Sequence, residues 1–539
     1  MKGQGAADGR DISSAPDGAG ATVGTGSLVS LSSLLAWRAA ERPRHGFLFV
    51  EDEAAWTFGE LADAAAVLAG RLAAAGVGTG SRVLARIGND ERFLPVLVAT
   101  WVCGAAVIPM HPGAPAAEVE RVVSTMNVTA VVSDPADAVN HTISDTLARP
   151  VITFERLTHD RRDSPAPALV VPEIAGSDTA LILLTSGSTG TPKGVMLTHD
   201  NAWANLRATV SAFRSDVGPS PLGDVDKPPN LIANPLTHTA GIVRLLFALY
   251  VGRNVVLLRK FDGALTKRLV DRHGIDHLTL NPAMLRMLLD QVEPGVKLGG
   301  VRYVSSGTAP LTPALREQFE ERFGVPVLQA YGQTEAFGGI AIESVKDVLA
   351  GRRRPGSVGR PLPGVKLRLV DEFGADVGAG ESGEIWVQSR SAMAGYLAGN
   401  EPDPHGADDW LRTGDLGRAD ADGYLYLTGR LKNIIICGGF NITPEEVEAA
   451  LEQDGRVGTA VVVSWPDERL GEIPVAVVEG EGNPSDLLAA VGPRLSAYKR
   501  PRRLFRVDAL PRVPNGKVDR PAVTRLVAEL ITTDGSPQK

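Results

Sequence analysis

The 539-residue sequence predicts an α/β (mixed α+β) protein. It should have a large N-terminal domain of layered α/β sheets with a β-rich subdomain, then a small α+β C-terminal domain. Three observations predict this. Apolar strand-like runs alternate with helical patterns through the first part of the chain. Near Gly364 the texture changes to alternating β-type segments separated by Gly/Asp turns. After Gly429 comes a region of about 110 residues, the size of a small domain. A chain this long exceeds one hydrophobic core.

The first 26 residues are rich in Gly, Ala, Ser and Asp and read as a disordered tail. Thr57-Phe-Gly-Glu-Leu61 leads into a helical pattern with Leu61, Ala65, Leu68 and Leu72 on one face and Gly76 near its end. Residues 82–87 then read as a short strand. Residues 93–110 carry no charge over 18 positions, yet Pro95, Gly104 and Pro109 fit a buried helix running into a buried strand better than a membrane span. Residues 128–132, 169–171, 255–258 and 301–304 are strand-like. Residues 365–370 and 383–387 alternate and open the β-rich stretch at 364–429. The tail region holds strand patterns at 434–436, 460–464 and 473–478 and helical ones at 444–451 and 485–495. Thr443, Pro444 and Glu446 read as a capped helix start. The expected division is 27–430, a joint at 431–432, 433–531, and a final tail at 532–539.

Hydrophobic content of 44% and charged content of 22% are those of a soluble globular protein. A net charge of −8 argues against nucleic acid as a main partner. Cys103 and Cys437 form no metal-ligand or redox spacing, and a reducing cytoplasm suits them.

Five segments carry chemistry. Thr185-Ser-Gly-Ser-Thr-Gly-Thr-Pro-Lys-Gly-Val195 follows the apolar run Ala180-Leu-Ile-Leu-Leu184. Such a loop offers backbone N–H groups, hydroxyls and the Lys193 cation to phosphate oxygens. It is no Walker A loop, because Lys193 is followed by Gly194 rather than Ser or Thr. Tyr331-Gly-Gln-Thr-Glu335 ends in a carboxylate able to hold Mg²⁺, which favours hard oxygen ligands. In Trp410-Leu-Arg-Thr-Gly-Asp-Leu416, Asp415 can accept from two vicinal ribose hydroxyls. Residues 429–448 join a cation, a strand, a Gly-Gly turn and a helix start. Last, Leu510-Pro-Arg-Val-Pro-Asn-Gly-Lys-Val518 is a turn that projects Lys517.

Together and in this order, these segments resemble the adenylate-forming superfamily, and within it the acyl- or aryl-CoA synthetases similar to coumarate–CoA and fatty-acid–CoA ligases. The resemblance covers residues 28–530. It implies ATP-dependent conversion of a small carboxylic acid to an acyl adenylate, then transfer to coenzyme A, with ATP, Mg²⁺ and CoA required. By similarity Thr185, Ser186, Gly187, Ser188, Thr189, Gly190 and Lys193 bind the β- and γ-phosphates. Gly307, Thr308, Ala309, Gln329 and Gly332 lie on the adenine side, with Tyr331 stacking on the base. Thr334 contacts the α-phosphate and Glu335 the Mg²⁺. Asp415 binds the ribose, Arg430 the ribose or phosphate, and Lys517 is the lysine of adenylation. Lys432 corresponds to a hinge about which the C-terminal domain rotates, which makes that domain mobile. Lys260, Gly438 and Gly439 correspond to CoA contacts, and the basic stretch at 498–503 is either a further phosphate contact or a solvated face.

His238, in Asn234-Pro-Leu-Thr-His-Thr-Ala-Gly241, corresponds to a residue at the junction of acyl pocket and thiol tunnel, where position rather than proton transfer suffices. The pocket itself is expected from His238, Ile242, Ser306, Gly307, Phe337, Gly338 and Gly339. Aromatic, alicyclic or terpenoid acids and fatty acids all remain open as substrates. Lysines of some coumarate ligases are replaced here by Ile436 and Gly438, and residues 234–241 lack the aspartate of amino-acid-activating members. Two alternatives stand beside the ligase: an enzyme that only adenylates and hands its product to a partner, and a nucleotide-binding regulator without catalysis. A homo-oligomer is compatible with the sequence.

Overall fold

A computed structural model describes residues 31–156, 168–185, 193–213, 227–397, 409–437, 440–467, 469–513 and 516–533. Five sheets organise them. The largest has seven strands, in the spatial order Gly395–Leu397, Lys193–Thr198, Thr179–Thr185, Ala106–Pro109, Arg82–Arg86, Ala130–Ser133 and Val151–Thr153. Its parallel centre is buried nearly throughout, as expected for strands covered on both faces. A second sheet sets His277–Leu280, Tyr303–Ser306 and Val327–Gln333 in parallel and adds Gly338–Ile342 and Arg360–Pro361 antiparallel. A small third sheet is built around Gly46–Val50 and Val255–Leu257. The β-rich stretch is an antiparallel sheet of Lys366–Val370, Ser382–Gln388, Leu411–Ala419 and Leu425–Arg430.

Beyond Arg430 a fifth sheet is centred on the long hairpin Val457–Asp467 and Gly471–Gly480, with Arg503–Val507 parallel to it. Helices Pro444–Glu452, Pro484–Val491 and Arg520–Thr533 accompany it. This part has a hydrophobic cluster of its own, from Ile435 to Val527.

Local chemistry explains the elements near the site. Thr57 and Glu60 form a capping box at the start of helix Phe58–Ala74: Glu60 N–H donates to Thr57 Oγ1 at 3.1 Å and Thr57 N–H to Glu60 Oε2 at 2.9 Å. The charge-free stretch is helix Phe93–Val102 followed by the buried strand Ala106–Pro109, and Trp101 Nε1 ties that helix to Ala180 O at 2.8 Å. No helix among the described residues is long and apolar enough to cross a membrane. The buried Arg38 donates to Leu249 O (3.2 Å) and Tyr250 O (2.8 Å), closing the C-terminal end of helix Thr239–Val251.

Four expectations need correction. Residues 169–171 form no strand; the segment leading into Thr179–Thr185 is irregular. The helix expected to reach residue 495 ends at Val491 in a short 3₁₀ turn, Gly492–Arg494, because Pro493 has no N–H to continue it. Thr443 precedes helix Pro444–Glu452 without a side-chain cap. The last helix runs to Thr533, so residues 532 and 533 are helical rather than tail.

Buried His199 gives the N-terminal part a measurable acid sensitivity. Its Nδ1 accepts from Leu31 N at 3.2 Å, its ring meets Trp101 edge-on, and burial lowers its pKa to about 4. The unfolded residue titrates near 6.5, so the unfolded chain binds more protons between those values. Its contribution is complete above pH 6.5 and is lost as pH falls towards 4. Urea unfolding at pH 7.5 and 4.5 is expected to show wild-type protein losing about 3 kcal/mol more than His199→Asn over that interval. Equal losses in both proteins would refute the assignment.

Candidate active site

Strand ends bring the motif residues to one crevice. Thr185 ends one strand and Lys193 begins the next, and the two are directly paired, so the hydroxyl-rich loop is anchored at both ends. Ser186, Gly187, Ser188, Thr189 and Gly190 lie outside the described residues, as do Gly438 and Gly439. Gly395–Leu397 pairs antiparallel with the strand that begins at Lys193. That places the Tyr396 ring 4.9 Å from Lys193 Nζ, and Tyr396 O–H donates to Glu335 Oε1 at 3.1 Å. Sequence reasoning missed Tyr396 because nothing in Gly395-Tyr-Leu397 marks it; only the strand pairing does.

Glu335 sits in a 3₁₀ turn between Val327–Gln333 and Gly338–Ile342. The hairpin is tight: a Cβ on Gly332 would collide with the Gly338 carbonyl, so only glycine fits. Phe337 is buried in a left-handed conformation (φ 52°), held where Asn205 Nδ2 donates to its carbonyl at 3.0 Å. Thr334 Oγ1 accepts from Thr239 Oγ1 at 3.1 Å, joining this turn to helix Thr239–Val251. Ser306 lies opposite Gln329 in the parallel sheet, and a Cβ on the next residue, Gly307, would stand 3.2 Å from Ala330 O. Thr308 has φ +68°, a conformation uncommon for a threonine. Gln329 N–H is fixed by the buried Glu343 carboxylate at 2.7 Å.

Asp415 is buried, and both its oxygens are engaged. Tyr331 O–H donates to Oδ2 at 2.7 Å, and Arg430, its cross-strand neighbour, donates through Nε to Oδ1. Burial and the adjacent carboxylate push the Tyr331 phenol well above its ordinary pKa, so it stays a neutral donor. The family resemblance implied base stacking for the Tyr331 ring; its hydroxyl is bound to Asp415. Arg430 leaves 44% of its side chain accessible towards the crevice.

Lys517 comes from the C-terminal part and reaches the same place. Burial and the Arg430 charge lower its pKa, while Asp415 and Glu335 pull the other way. Gly516 beside it packs on helix Pro282–Gln291: a Cβ there would stand 3.0 Å from Ala283 Cβ. Lys193 and Lys432 are lowered by burial and by cationic neighbours, and both feel Glu335. Lys193, Arg430, Lys432 and Lys517 thus share the crevice with Asp415 and Glu335. In a chain of net charge −8, this excess of cations suits a polyphosphate.

His238 precedes helix Thr239–Val251, its Nδ1 accepting from Ala240 N at 3.3 Å. Burial and the Lys517 charge lower its pKa to about 4, so it is neutral at physiological pH with its proton on Nε2. Ile242, Ser306 and Phe337 are buried, whereas Gly338 and Gly339 are half-buried. Lys260 is exposed.

The model of the AMP-binding enzyme family matches residues 35–397, and that of the AMP-binding enzyme C-terminal domain matches 446–517. The chain belongs to the AMP-binding enzyme family. It is 36% identical over 507 residues to the sulfoacetate–CoA ligase of Cupriavidus necator, covering 91% of this chain and 96% of that one. It is 29% identical to the 2-succinylbenzoate–CoA ligase of Enterococcus faecalis over 89% of this chain and 95% of that one. The structure of the o-succinylbenzoate CoA synthetase MenE of Bacillus subtilis with its acyl-adenylate superimposes with a TM-score of 0.77 at 26% identity, covering 91% and 97% of the two chains. The same enzyme is known with ATP and magnesium ion. This AMP-binding enzyme is therefore an acid–thiol ligase. It activates a carboxylic acid with ATP, releases pyrophosphate, and passes the acyl group to CoA, releasing AMP.

Proposed function

We propose that the crevice works through the following residues, and that the approach of Lys517 to Asp415, Glu335 and Arg430 is the observation that carries this reading. A carboxylate is a poor acyl donor because its leaving group would be oxide. Attack of a carboxylate oxygen on the α-phosphorus of ATP forms the C–O–P link and breaks the bond to the β-phosphate bridging oxygen, which departs with pyrophosphate. Negative charge gathers on the α-phosphate oxygens, where Lys517 and Thr334 stabilise it. Lys193 and the loop after Thr185 hold the leaving phosphates. Asp415, kept in place by Tyr331 and Arg430, accepts from the ribose hydroxyls, and the 307–309 and 329–332 segments flank the adenine.

Glu335 fits Mg²⁺. It is a hard oxygen donor with acceptor capacity beyond the Tyr396 bond, and no group of three His, Cys, Asp or Glu able to cage a metal occurs among the described residues. Glu335 would hold the ion, which when bound would supply charge neutralisation to the phosphates.

In the second half-reaction the CoA sulfur attacks the acyl carbon, the bond to the AMP oxygen breaks, and the thiol proton leaves to solvent. Neutral His238 shapes the junction and does not serve as base, because its Nδ1 is already an acceptor for Ala240. Lys432 is the hinge of the intervening rotation, and Lys260, Gly438 and Gly439 are CoA contacts. Two reduced cysteines fit a cytoplasmic setting. Pyrophosphate and thioester formation over a panel of carboxylic acids, with and without CoA, tests this reading. Adenylation with no thioester from any acid would instead favour transfer to a separate partner.

A further inference from the structure

Arg244 lies six residues beyond His238 on helix Thr239–Val251, inside the otherwise apolar run Ile242-Val-Arg-Leu-Leu246. An enclosed guanidinium that loses its hydration normally gains an acidic partner in return. Here burial pushes its pKa down, and the neighbour that offsets this is the phenol of Tyr303. That phenol is itself neutral, raised by burial. Asp276, the acid of this neighbourhood, is bound to His277 at 2.9 Å and also faces Arg253 and Arg302. Among the described residues no carboxylate is paired with Arg244.

The position of Arg244 points to a pocket wall. His277 stacks on Tyr303 with ring centroids 5.7 Å apart, and both feel Arg244, so the guanidinium faces the start of strand Tyr303–Ser306. The other end of that strand is Ser306, whose hydroxyl is buried without a partner. One side of the same helix meets the Phe337–Gly338 turn: a Cβ on Gly338 would stand 3.7 Å from Val243 Cγ2 and 3.9 Å from Thr239 Cγ2. Arg244 is about 100° around the helix from Val243, and helical side chains lean towards the N-terminus, here towards His238. Its accessible surface is intermediate, so the side chain is partly open.

We propose that Arg244 receives a second anionic group on the acid, so that the substrates are acids carrying a carboxylate or sulfonate at the end remote from the reacting carboxylate. This rests on the ligase reading above and names its substrate class. The guanidinium suits either oxyanion through paired N–H donors.

The test uses matched acids with and without the remote charge: succinate against butyrate, sulfoacetate against propionate, 4-carboxyphenylacetate against phenylacetate. CoA-dependent pyrophosphate release is measured for each. In at least one pair the charged acid is expected to be favoured about 10²-fold or more in kcat/KM, the scale of an ion pair lost on truncation. Whether the succinate or the sulfoacetate pair shows it distinguishes carboxylate from sulfonate. Arg244→Met should abolish the preference while leaving the KM for ATP unchanged, and Arg244→Lys should restore part of it. Thermal stabilisation by ATP reports whether the variant folds; if Arg244→Met does not, Arg244→Gln replaces it. Turnover favouring the neutral-tailed acids, or an unchanged preference in the folded variant, overturns the assignment of Arg244 and leaves the ligase reading intact. Release from no acid of either kind counts against both.

Discussion

Lys517→Ala is expected to lower acid-dependent pyrophosphate exchange by about 10²-fold to 10³-fold, the scale of one lost electrostatic contact to a developing charge. The C-terminal part delivers Lys517 into the field of Asp415, Glu335 and Arg430. The loss should appear in kcat for adenylation, because the lysine meets charge that grows only in the transition state. CoA-dependent turnover of a chemically prepared acyl adenylate should remain near the wild-type rate, since that step does not load the α-phosphate in the same way. Wild-type exchange in the variant would remove Lys517 from the mechanism. Loss of both half-reactions, with unchanged thermal stability, would mean that it serves binding in general.

Asp415→Ala is the second large effect. The substitution removes the acceptor for the ribose hydroxyls and leaves Tyr331 O–H and Arg430 Nε without their partner. We expect kcat/KM for ATP to fall about 10²-fold, since a hydrogen bond to a charged group contributes roughly 1.5–3 kcal/mol. Most of this should appear as a raised KM for ATP, with the KM for the acid little changed. Asp415→Asn retains one acceptor oxygen and should fall between the two. The stability cost should be smaller than for a fully buried pair, because Arg430 is 44% accessible and recovers water. A fall confined to the acid's KM would place Asp415 on the wrong substrate.

Some of this was legible in the sequence and some was not. The phosphate loop, the Glu335 turn, Asp415 and Lys517 are short polar segments interrupting apolar ones, and such segments are readable because strand ends need turns. Their convergence is not local information: Asp415 faces Arg430 through strand register, and Lys517 arrives about a hundred residues later. Tyr331 shows the limit on residue roles, since its hydroxyl turns to Asp415 and no spacing encodes that bond. Tyr396 escaped notice because it enters through pairing with the strand after the loop. Arg244 was not singled out in the sequence, because its lack of an acidic neighbour emerges only in three dimensions. The strand-like 169–171 segment misled because a short apolar run cannot reveal whether a sheet edge is available to pair it.

The central claim is that adenylation occurs with the C-terminal part seated as described, and that the seat must open before CoA reacts. A cysteine pair at Ala283 and Gly516 tests it most directly. A Cβ at 516 would lie 3.0 Å from Ala283 Cβ, so the two segments must part by about 0.5–1 Å to reach disulfide spacing, and φ +83° at that position costs about 1 kcal/mol for a side chain. Oxidised Ala283→Cys/Gly516→Cys enzyme should retain pyrophosphate exchange and lose thioester formation, and reduction should restore the thioester. Oxidised enzyme that forms acyl-CoA at the reduced rate, or that has lost exchange while the reduced form retains it, would contradict the claim.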